Sequence, residues 1–372
     1  MRVLYLTMNP NRASTTVPTE GWMRLLPPRG LEPVLVSRTE KGFQDWVRDQ
    51  GIPTYRNPMP FPDAKNPLPF LRSLWGICRV VKRHDIQVIH CNEQDVYPVG
   101  QYAGRLCGVP VVVSVHFTLL RGFCEWAFGG KRQPARIFFI SRGNLEACRP
   151  SVEGVIDESR WRLMYNGLDL ERFVPDEARR QAFRREHGLD GTIAIGVACA
   201  LRPRKQLEHL FEAAARVDAS GLRVIVAGGP VPGDEAYAER LLRDARAKLG
   251  SRLILLGHQD ELRGLYNGLD VFVNTSQEEA CSISVMESLA CSCPVLGYPS
   301  KSVDDQILPE GGEIVAQDDV AALAASLRAW IADRDLLARR RAPARHRAEK
   351  MFDIRKTSEQ LWGEYQSLIR LR

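Results

Sequence analysis

The amino-acid sequence predicts an α/β protein built from two doubly wound, Rossmann-like domains. The chain has 372 residues, which is more than one ordinary hydrophobic core accommodates. Short and nearly continuous apolar runs alternate with helix-length segments, a pattern typical of parallel strands that are buried on both faces. These runs form two series, separated by a turn-rich segment at 165–176. The sequence therefore predicts two parallel sheets rather than one.

Each predicted strand is a short run rich in β-branched and other apolar residues. The first series consists of Val3–Thr7, Pro33–Val36, Val88–Cys91, Val111–His116 and Ile137–Ile140. The second series consists of Ile193–Cys199, Leu222–Ala227, Leu253–Leu256, Val271–Asn274 and Pro294–Gly297.

The segment between the two predicted domains and the C-terminal segment each have a recognisable sequence pattern. The segment YNGLDLERFVPD, residues 165–176, combines an Asn-Gly turn signal with a proline. The last segment, 354–372, has an apolar stripe formed by Trp362, Tyr365 and Leu368. The stripe predicts an amphipathic helix with one buried face, and we expect that face to pack on the N-terminal domain.

Composition narrows the class of protein. Hydrophobic residues make up 44% of the chain and charged residues 26%, as in soluble globular proteins. No apolar run reaches the ~18 residues of a membrane span, and the N-terminus lacks a signal-peptide pattern. The sequence predicts a cytoplasmic protein. Nine cysteines occur without a CxxC pair, which argues against a disulfide framework or a zinc ribbon.

The net charge of +6 is unevenly distributed. Residues 1–175 contain 23 Lys and Arg against 16 Asp and Glu, whereas the remainder contains 28 against 29. The basic N-terminal half indicates either an anionic partner, such as peripheral contact with the inner face of a membrane, or an ordinary solvated surface. The sequence has neither RNA-binding aromatic motifs nor a long Lys/Arg run, so nucleic acid is not a predicted partner.

Two carboxylates stand out in EEACSISVMES, residues 278–288. Glu279 and Glu287 are eight residues apart and follow the predicted strand Val271–Asn274. Ligands of open α/β sheets bind beyond the carboxyl ends of strands. A helix predicted to begin near Ser284 would offer unpaired N–H groups to an anion. The alternative for Glu287 is a capping box with Ser284.

Basic side chains and one histidine follow other predicted strands. Arg202 and Lys205 come directly after Ile193–Cys199, and no metal-ligand cluster accompanies them. A cation at ~4 Å contributes about 4 kcal/mol at an effective dielectric near 20, more than the ~0.3–1 kcal/mol of a helix dipole. The sequence therefore predicts a metal-free anion site. His116 is either a hydrogen-bonded core residue or a functional one.

The stretch Glu279-ACSISVM-Glu287 resembles the E-x7-E signature of retaining GT-B glycosyltransferases, in particular glycosyltransferase family 4. Other segments resemble the family in the same order and spacing: VIHCNEQD (88–95), VVVSVHF (111–117), MYNGLDLERFVP (164–175), LRPRKQLEHLFEAAARV (201–217) and VIVAGGP (224–230). The resemblance covers most of the chain. It implies a GT-B fold, with two Rossmann-like domains facing each other across a cleft. The implied domains are 1–173 with the C-terminal helix 355–372, and 174–354.

The resemblance also implies an activity and roles for individual residues. It implies a metal-independent, retaining hexosyltransferase that uses a nucleotide sugar, of the UDP or GDP type, as co-substrate and needs no cofactor. The acceptor is a glycan, a lipid-linked molecule or a small molecule. Implied catalytic residues are Glu279, His116, Lys205 and Arg202. Implied donor-binding residues are Glu287, Cys281, Ser282, Ile283, Ser284, Gly229, His258, Ser14 and Thr15, and acceptor-side residues are Asn92 and Glu93.

The chain departs from the family pattern at several positions, of which the first loop and Ala200 are two. The first loop reads NRASTTVPTEG, whereas the family has a Gly-Gly-rich loop, and Ala200 replaces an arginine for which Arg202 is the expected substitute. Two other functions stay open at this point. A GT-B sugar-nucleotide epimerase shares the architecture, although the E-x7-E frame argues against it, and the missing glycines and Ala200 would suit a GT-B protein that binds sugar nucleotides without catalysis.

Overall fold

The computed structural model describes residues 1–9, 15–39, 42–217 and 221–370. The chain divides into two compact units, each of which is built on a fully parallel sheet. Unit 1 comprises Met1–Leu168 and Ile354–Arg372, and unit 2 comprises Asp169–Asp353. The predicted α/β class with two Rossmann-like domains is confirmed.

Unit 1 contains a seven-stranded sheet. Its strands are β1 (Arg2–Thr7), β2 (Glu32–Ser37), β3 (Thr54–Arg56), β4 (Val88–Cys91), β5 (Val111–Val115), β6 (Arg136–Phe139) and β7 (Trp161–Leu163). The strand order is β3-β2-β1-β4-β5-β6-β7, so the order reverses between β1 and β4. The connecting helices are α1 (Val17–Leu25), α2 (Phe43–Asp49), α3 (Leu68–Arg83), α4 (Tyr97–Cys107), α5 (Arg121–Phe128) and α6 (Arg142–Val152).

The two faces of this sheet contribute to two hydrophobic clusters. Alternate residues of β1 belong to different clusters, because successive side chains of a strand point to opposite faces. Leu4 and Leu6 pack with residues of α3 and α4, whereas Val3 and Tyr5 pack with residues of α1. The strands are thus buried on both sides, which explains why they read as continuous apolar runs.

Unit 2 repeats the same topology with six strands. They are β8 (Ile193–Ala198), β9 (Leu222–Ala227), β10 (Leu253–Gly257), β11 (Val271–Asn274), β12 (Val295–Gly297) and β13 (Gly312–Ile314), in the order β10-β9-β8-β11-β12-β13. Its helices are α7 (Glu177–Glu186), α8 (Leu207–Ala215), α9 (Glu235–Leu249), α10 (Arg263–Gly268), α11 (Ile283–Ala290), α12 (Val303–Ile307), α13 (Val320–Ala332) and α14 (Arg334–Met351). The order reverses between β8 and β11.

Three short strands are absent from the sequence prediction. β3, β7 and β13 each have three residues and lie at sheet edges. Their residues are only half-buried or exposed, so they lack the apolar run that marks a central strand.

The C-terminal helix α15 (Ile354–Arg370) belongs to unit 1. Its residues Leu361, Tyr365 and Leu368 are buried in the cluster that contains α1, whereas Trp362 of the predicted stripe is only partly buried. A β-carbon at Gly21 would lie 2.4 Å from Ile354 Cγ1, so α1 and α15 approach closely at this glycine. Gly21 lies within helix α1, not in the loop that precedes it.

Hydrogen bonds attach α15 at both ends. The Ile354 N–H donates to the Leu168 carbonyl oxygen at 3.1 Å, so α15 begins beside the last residue of the first segment of unit 1. The boundary at 173 stays a prediction. Farther along the helix, the Tyr365 hydroxyl lies 2.5 Å from Nδ1 of the buried His90.

Candidate active site

The first part of the site lies where β8 and β11 end in unit 2. A 3-10 turn at Pro203–Lys205 follows β8, and Gln206 then takes a left-handed conformation at φ 46° before α8. This turn directs Lys205 toward the loop after β11, where its Nζ donates to Glu279 Oε1. The two side chains are only 14% and 9% exposed. The structure thus brings two predicted catalytic residues together in a buried ion pair.

Three serines hold the Glu279 loop. The Ser276 hydroxyl donates to Glu279 Oε1 at 2.8 Å, and the Ser302 hydroxyl donates to the Glu279 carbonyl oxygen at 2.5 Å. The Glu279 N–H donates to the carbonyl oxygen of Ser300 at 2.8 Å. The sequence prediction missed these serines. The only local signal was their position after predicted strands.

Arg202 is also paired. Its Nε lies 3.2 Å from Oδ2 of Asp234, and both side chains are partly exposed. The neighbouring Arg204 donates to the Glu278 carbonyl oxygen at 3.2 Å. Asp234 just precedes α9 and was not predicted to belong to the site. Arg202 and Lys205 therefore each have a carboxylate partner in this structure.

Helix α11 begins at Ile283 and carries Glu287. Ser284 lies inside the helix, where its hydroxyl donates to the Ala198 carbonyl oxygen at 2.8 Å. The capping-box alternative is therefore wrong, because Ser282 occupies the cap position and its side chain makes no capping hydrogen bond. The carboxylate of Glu287 instead accepts a 2.8 Å hydrogen bond from the Tyr266 hydroxyl.

The tyrosine that contacts Glu287 is fully buried. Burial, together with the negative charge of Glu287, raises the pKa of Tyr266 well above its ordinary value. The phenol therefore stays protonated and donates. The sequence prediction did not include Tyr266 in the site.

The backbone in front of α11 is partly occupied. The Ser282 N–H donates to Oε1 of the buried Gln306 at 2.9 Å, and Gln306 Nε2 donates back to the Ser282 carbonyl oxygen at 3.1 Å. Ser282 was predicted to bind the nucleotide-sugar donor, but its N–H is already hydrogen-bonded to Gln306. Cys281 is buried, and its sulfur lies 3.6 Å from Met286 Sδ. Ile283 and Ser284 contribute N–H groups of the first helical turn.

Gly229 and His258 follow the neighbouring strands β9 and β10. A β-carbon at Gly229 would lie 4.0 Å from His258 Cβ, so the two residues are neighbours. His258 is 80% exposed, and its Nε2 lies 3.3 Å from Asp260 Oδ1. Gly228 is the more constrained glycine, since it has φ +140° and a β-carbon there would lie 1.8 Å from the Cys199 carbonyl oxygen.

The corresponding edge of unit 1 lies where β1 and β4 end. Glu93 Oε1 accepts from the Thr7 hydroxyl at 2.7 Å, and Oε2 accepts from the Met8 N–H at 3.2 Å. Glu93 is buried, and burial raises the pKa of its carboxyl to about 7. The carboxyl thus links β4 to the segment after β1.

Two residues that were predicted to belong to the site, Asn92 and Thr15, make contacts in the segment after β1. Asn92 Nδ2 donates to the Thr19 hydroxyl at 2.7 Å and lies 3.3 Å from the Thr15 carbonyl oxygen. The Thr15 hydroxyl accepts from Asn9 Nδ2 at 3.0 Å. Asn92 and Thr15 are therefore engaged in contacts within unit 1. Ser14 lies outside the described residues.

His116 follows β5 at the same edge. It is buried, and burial lowers the pKa of its imidazole to about 4, so the ring is neutral near pH 7. Among the residues that the structure describes, none hydrogen-bonds its Nδ1. Eleven other buried side-chain atoms in the described residues share this feature, so it does not decide between the functional and the structural interpretation of His116, and its role stays a prediction.

Two family models together match most of the chain. The model "Glycosyl transferase 4-like domain" matches residues 16–147, and "Glycosyl transferases group 1" matches residues 179–347. The chain belongs to glycosyltransferase family 4. This family 4 chain has the GT-B fold, and the solved structure of Anabaena Alr3699/HepE in complex with UDP superposes on it with a TM-score of 0.88. That comparison covers 99% of this chain and 100% of the other, at 18% identity.

Curated relatives of this family 4 glycosyltransferase differ in their named substrates. A GDP-mannose-dependent alpha-mannosyltransferase of Mycobacterium tuberculosis is 26% identical over 70% of this chain and 68% of its own length. A D-inositol 3-phosphate glycosyltransferase of Geodermatophilus obscurus is 34% identical over 69% of this chain and 62% of its own length.

The described part of this glycosyltransferase has neither a metal-binding cluster nor a membrane-spanning helix. Residues 1–9, 15–39, 42–217 and 221–370 contain no group of three or more His, Cys, Asp or Glu side chains placed to hold a metal ion. Within the same ranges, no helix is both long enough and apolar enough to span a membrane.

Proposed function

We propose that this protein transfers a glycosyl group from a nucleotide sugar to an acceptor hydroxyl with retention of anomeric configuration. The observation that carries the proposal is the buried Lys205–Glu279 pair at the switch point of unit 2, with Glu287 eight residues farther on in α11. A cation, an acid and a helix N-terminus thus meet at the sheet edge where α/β proteins bind ligands.

We propose a UDP- or GDP-type donor. The curated relatives include a GDP-mannose-dependent enzyme, and the superposed Anabaena structure contains UDP. Glu287 would bind the ribose hydroxyls, because a carboxylate accepts two hydrogen bonds from a diol. The N–H groups of Ile283 and Ser284 would bind the diphosphate at the positive end of α11. Gly229 and His258 would border the nucleotide.

Donor binding would rearrange the charges at this edge. The diphosphate competes with Glu279 for Lys205 and with Asp234 for Arg202. A phosphate oxygen at ~4 Å from a cation gains about 4 kcal/mol at an effective dielectric near 20. Once Lys205 turns to the diphosphate, Glu279 becomes free to accept hydrogen bonds from the sugar hydroxyls.

The same cations would stabilise the leaving group. Breaking the bond between the sugar and the diphosphate develops negative charge on the diphosphate, and preorganised cations stabilise that charge in the transition state. We propose that Lys205 and Arg202 suffice for this, so transfer proceeds without a divalent ion. Retention then requires no protein nucleophile if the diphosphate itself accepts the proton of the attacking hydroxyl.

Residues of unit 1 are assigned on the resemblance and stay predictions. His116 is expected to contact the donor sugar, and its neutral imidazole suits hydrogen bonding rather than charge stabilisation. Asn92 and Glu93 are expected on the acceptor side. The acceptor class is a glycan, a lipid-linked molecule or a small molecule.

The test is product analysis with labelled UDP-, GDP-, ADP- and TDP-sugars, offered with and without a panel of acceptors. Transfer with retained configuration, unchanged by EDTA and lowered at least about a hundredfold in Lys205→Ala, is the expected result. An epimerised sugar nucleotide formed without acceptor would indicate the epimerase. Thermal stabilisation by a donor without any product would indicate a binding protein. Loss of transfer in EDTA that manganese restores would contradict the metal-free mechanism.

A further inference from the structure

Exposed apolar side chains are concentrated in one stretch of unit 1. Ten large hydrophobic residues are exposed among those that the structure describes, and nine of the ten lie between positions 61 and 126. Single exposed hydrophobic residues need no explanation, whereas several that lie together on one face mark an interaction surface.

Helix α3 provides the centre of this surface. Its inner face is buried in the core of unit 1, including Leu74 and Ile77. On its outer face, Leu68, Leu71 and Trp75 are 59%, 51% and 65% exposed. Spacings of three and four residues place these three side chains on one side of the helix. They form an apolar stripe that no described part of the chain covers.

The same outer face carries positive charge. Arg72, Arg79, Lys82 and Arg83 are exposed on α3, and the helix has neither Asp nor Glu. Four of the 23 basic residues of the N-terminal half are therefore on this one helix. The guanidinium carbon of Arg79 lies 5.4 Å from the centre of the Trp75 ring, so the basic and apolar groups are in contact.

Two aromatic pairs in the same stretch of unit 1 also include exposed rings. Phe61, in the segment that leads into α3, packs against Trp126 of α5 at 5.8 Å between ring centroids. Phe70 of α3 packs against Tyr102 of α4 at 5.7 Å. Phe61, Trp126 and Tyr102 are all exposed, and the contact with Phe70 places the Tyr102 ring next to α3.

We propose that this α3 face docks on the surface of an anionic lipid bilayer. Leu68, Leu71 and Trp75 would enter the boundary between head groups and acyl chains, where tryptophan is enriched and apolar side chains are stabilised. Arg72 and Arg79 would lie among the anionic head groups, since each such cation contributes binding energy near the membrane surface. The helix lies on the bilayer and does not span it.

Charge also argues against a second copy of this chain as the occupant. A two-fold symmetric dimer places the same surface on both sides of its interface. The arginines and lysines of α3 would then face their own copies, with no acidic residue on the helix to pair with them. An anionic surface complements the same residues.

The test is flotation of the full chain with vesicles of phosphatidylcholine, with and without phosphatidylglycerol. We expect binding only to the anionic vesicles, weakened by salt. Exchanging Arg72→Glu and Arg79→Glu together should weaken binding by at least roughly thirty-fold, because each basic residue contributes on the order of 1 kcal/mol. The matched control is Arg243→Glu, an exposed arginine of α9, which should bind like the parent.

A second set of variants tests the apolar side chains of the α3 face. Leu71→Ser with Trp75→Ser should weaken binding to the anionic vesicles by at least roughly tenfold, since two apolar side chains that would enter the bilayer are lost. Leu308→Ser, at an exposed leucine of unit 2, should leave it unchanged. Trp75→Phe should reduce the quenching of tryptophan fluorescence by brominated lipids, a readout that requires Trp75 to enter the bilayer.

Three results would overturn the proposal. The first is equal binding of the folded α3 variants and the parent. The second is absence of vesicle binding by the parent. The third is a dimer, measured by sedimentation, that Trp75→Ser dissociates. Thermal unfolding of each variant establishes that it is folded. Because the readout is lipid binding, the outcome does not depend on the proposed transfer reaction.

Discussion

In each unit, the carboxyl ends of the strands form one edge of the sheet, where the strand order reverses. These two carboxyl edges occupy equivalent positions in their topologies but differ in electrostatics. Where β8 and β11 end, Lys205 and Glu279 form an ion pair. Where β1, β4 and β5 end, Glu93 and His116 are buried, neither forms a salt bridge among the residues that the structure describes, and their pKa values shift toward the uncharged forms. The topology decides where polar residues collect, but the partner of each titratable group decides whether it carries charge there.

This difference suits the two edges to different kinds of ligand group. A charged edge can exchange one ionic partner for another, which a diphosphate requires. Groups whose pKa values shift toward the uncharged forms offer hydrogen bonds without strong attraction for a phosphate. The following experiments test whether the two edges differ in this way.

The largest expected effect is at the charged edge. Lys205→Ala should lower transfer by at least about a hundredfold, equivalent to ~2.7 kcal/mol of lost leaving-group stabilisation. The control is Lys301→Ala, because Lys301 pairs with Glu278 in the same region but is more exposed. Full activity of Lys205→Ala in a steady-state assay would mean that the ion pair is structural.

The raised pKa of Glu93 should make the free energy of unfolding depend on pH. The folded pKa of Glu93, about 7, is above its ordinary value of 4.5. The folded state therefore holds this proton more tightly, and the associated stability is present below about pH 4.5 and lost as pH rises toward 7. Between about pH 5 and pH 8 the parent should lose on the order of 2 kcal/mol of unfolding free energy relative to Glu93→Gln.

Urea unfolding of the parent and of Glu93→Gln at the two pH values measures this difference. The contributions of the other titrating groups cancel, because both proteins contain them. Glu153→Gln, at an exposed glutamate, is the matched control and should follow the parent. A pH profile of Glu93→Gln parallel to that of the parent would show that Glu93 is ionised in the folded state, and the contrast between the edges would disappear.

The two acids of the E-x7-E stretch should act on different steps. Glu287→Ala should weaken binding of the free nucleotide by at least about tenfold, or ~1.4 kcal/mol. Glu279→Ala should leave that affinity nearly intact and abolish transfer. Tyr266→Phe is the control, because it removes the hydroxyl that contacts Glu287 and keeps the carboxylate. Calorimetric titration in which Tyr266→Phe and Glu287→Ala lose the same affinity would indicate that Glu287 only anchors Tyr266.

The smallest effect is expected at Arg202. Its pair with Asp234 is partly exposed, and such pairs contribute about 0–1 kcal/mol because solvent screens them. Arg202→Ala should lower transfer by roughly fivefold or less. Asp234→Asn, which releases Arg202, should not lower it. A loss in Arg202→Ala as large as that in Lys205→Ala would make the two cations equivalent.

Much of the fold could be predicted because central strands are buried on both faces. The run Leu222–Ala227 has the same bounds in the sequence prediction and in the structure. The edge strands could not be predicted, because Thr54–Arg56 and Gly312–Ile314 lack an apolar run. Their pairing depends on neighbouring strands that are distant in the sequence.

The site follows the same rule. Glu279, Glu287 and Lys205 were predictable, since they follow recognisable strands. Their partners were not, because contacts such as Lys205 with Glu279 join residues that are 74 positions apart. The Ser282 N–H likewise bonds Gln306, 24 residues later, and nothing in the local sequence indicates that this backbone group is engaged.

The return of the chain into unit 1 at Ile354 has a consequence for biosynthesis. Unit 1 begins the chain, yet its last helix leaves the ribosome only after the whole of unit 2. At about 5–20 residues per second, the groove beside α1 stays open for roughly 10–40 s after residue 168 emerges. During this interval Tyr5 and His90 lack the tyrosine of α15, whereas unit 2, a continuous segment, can complete its own sheet first. The first unit to be translated is therefore the last to be finished.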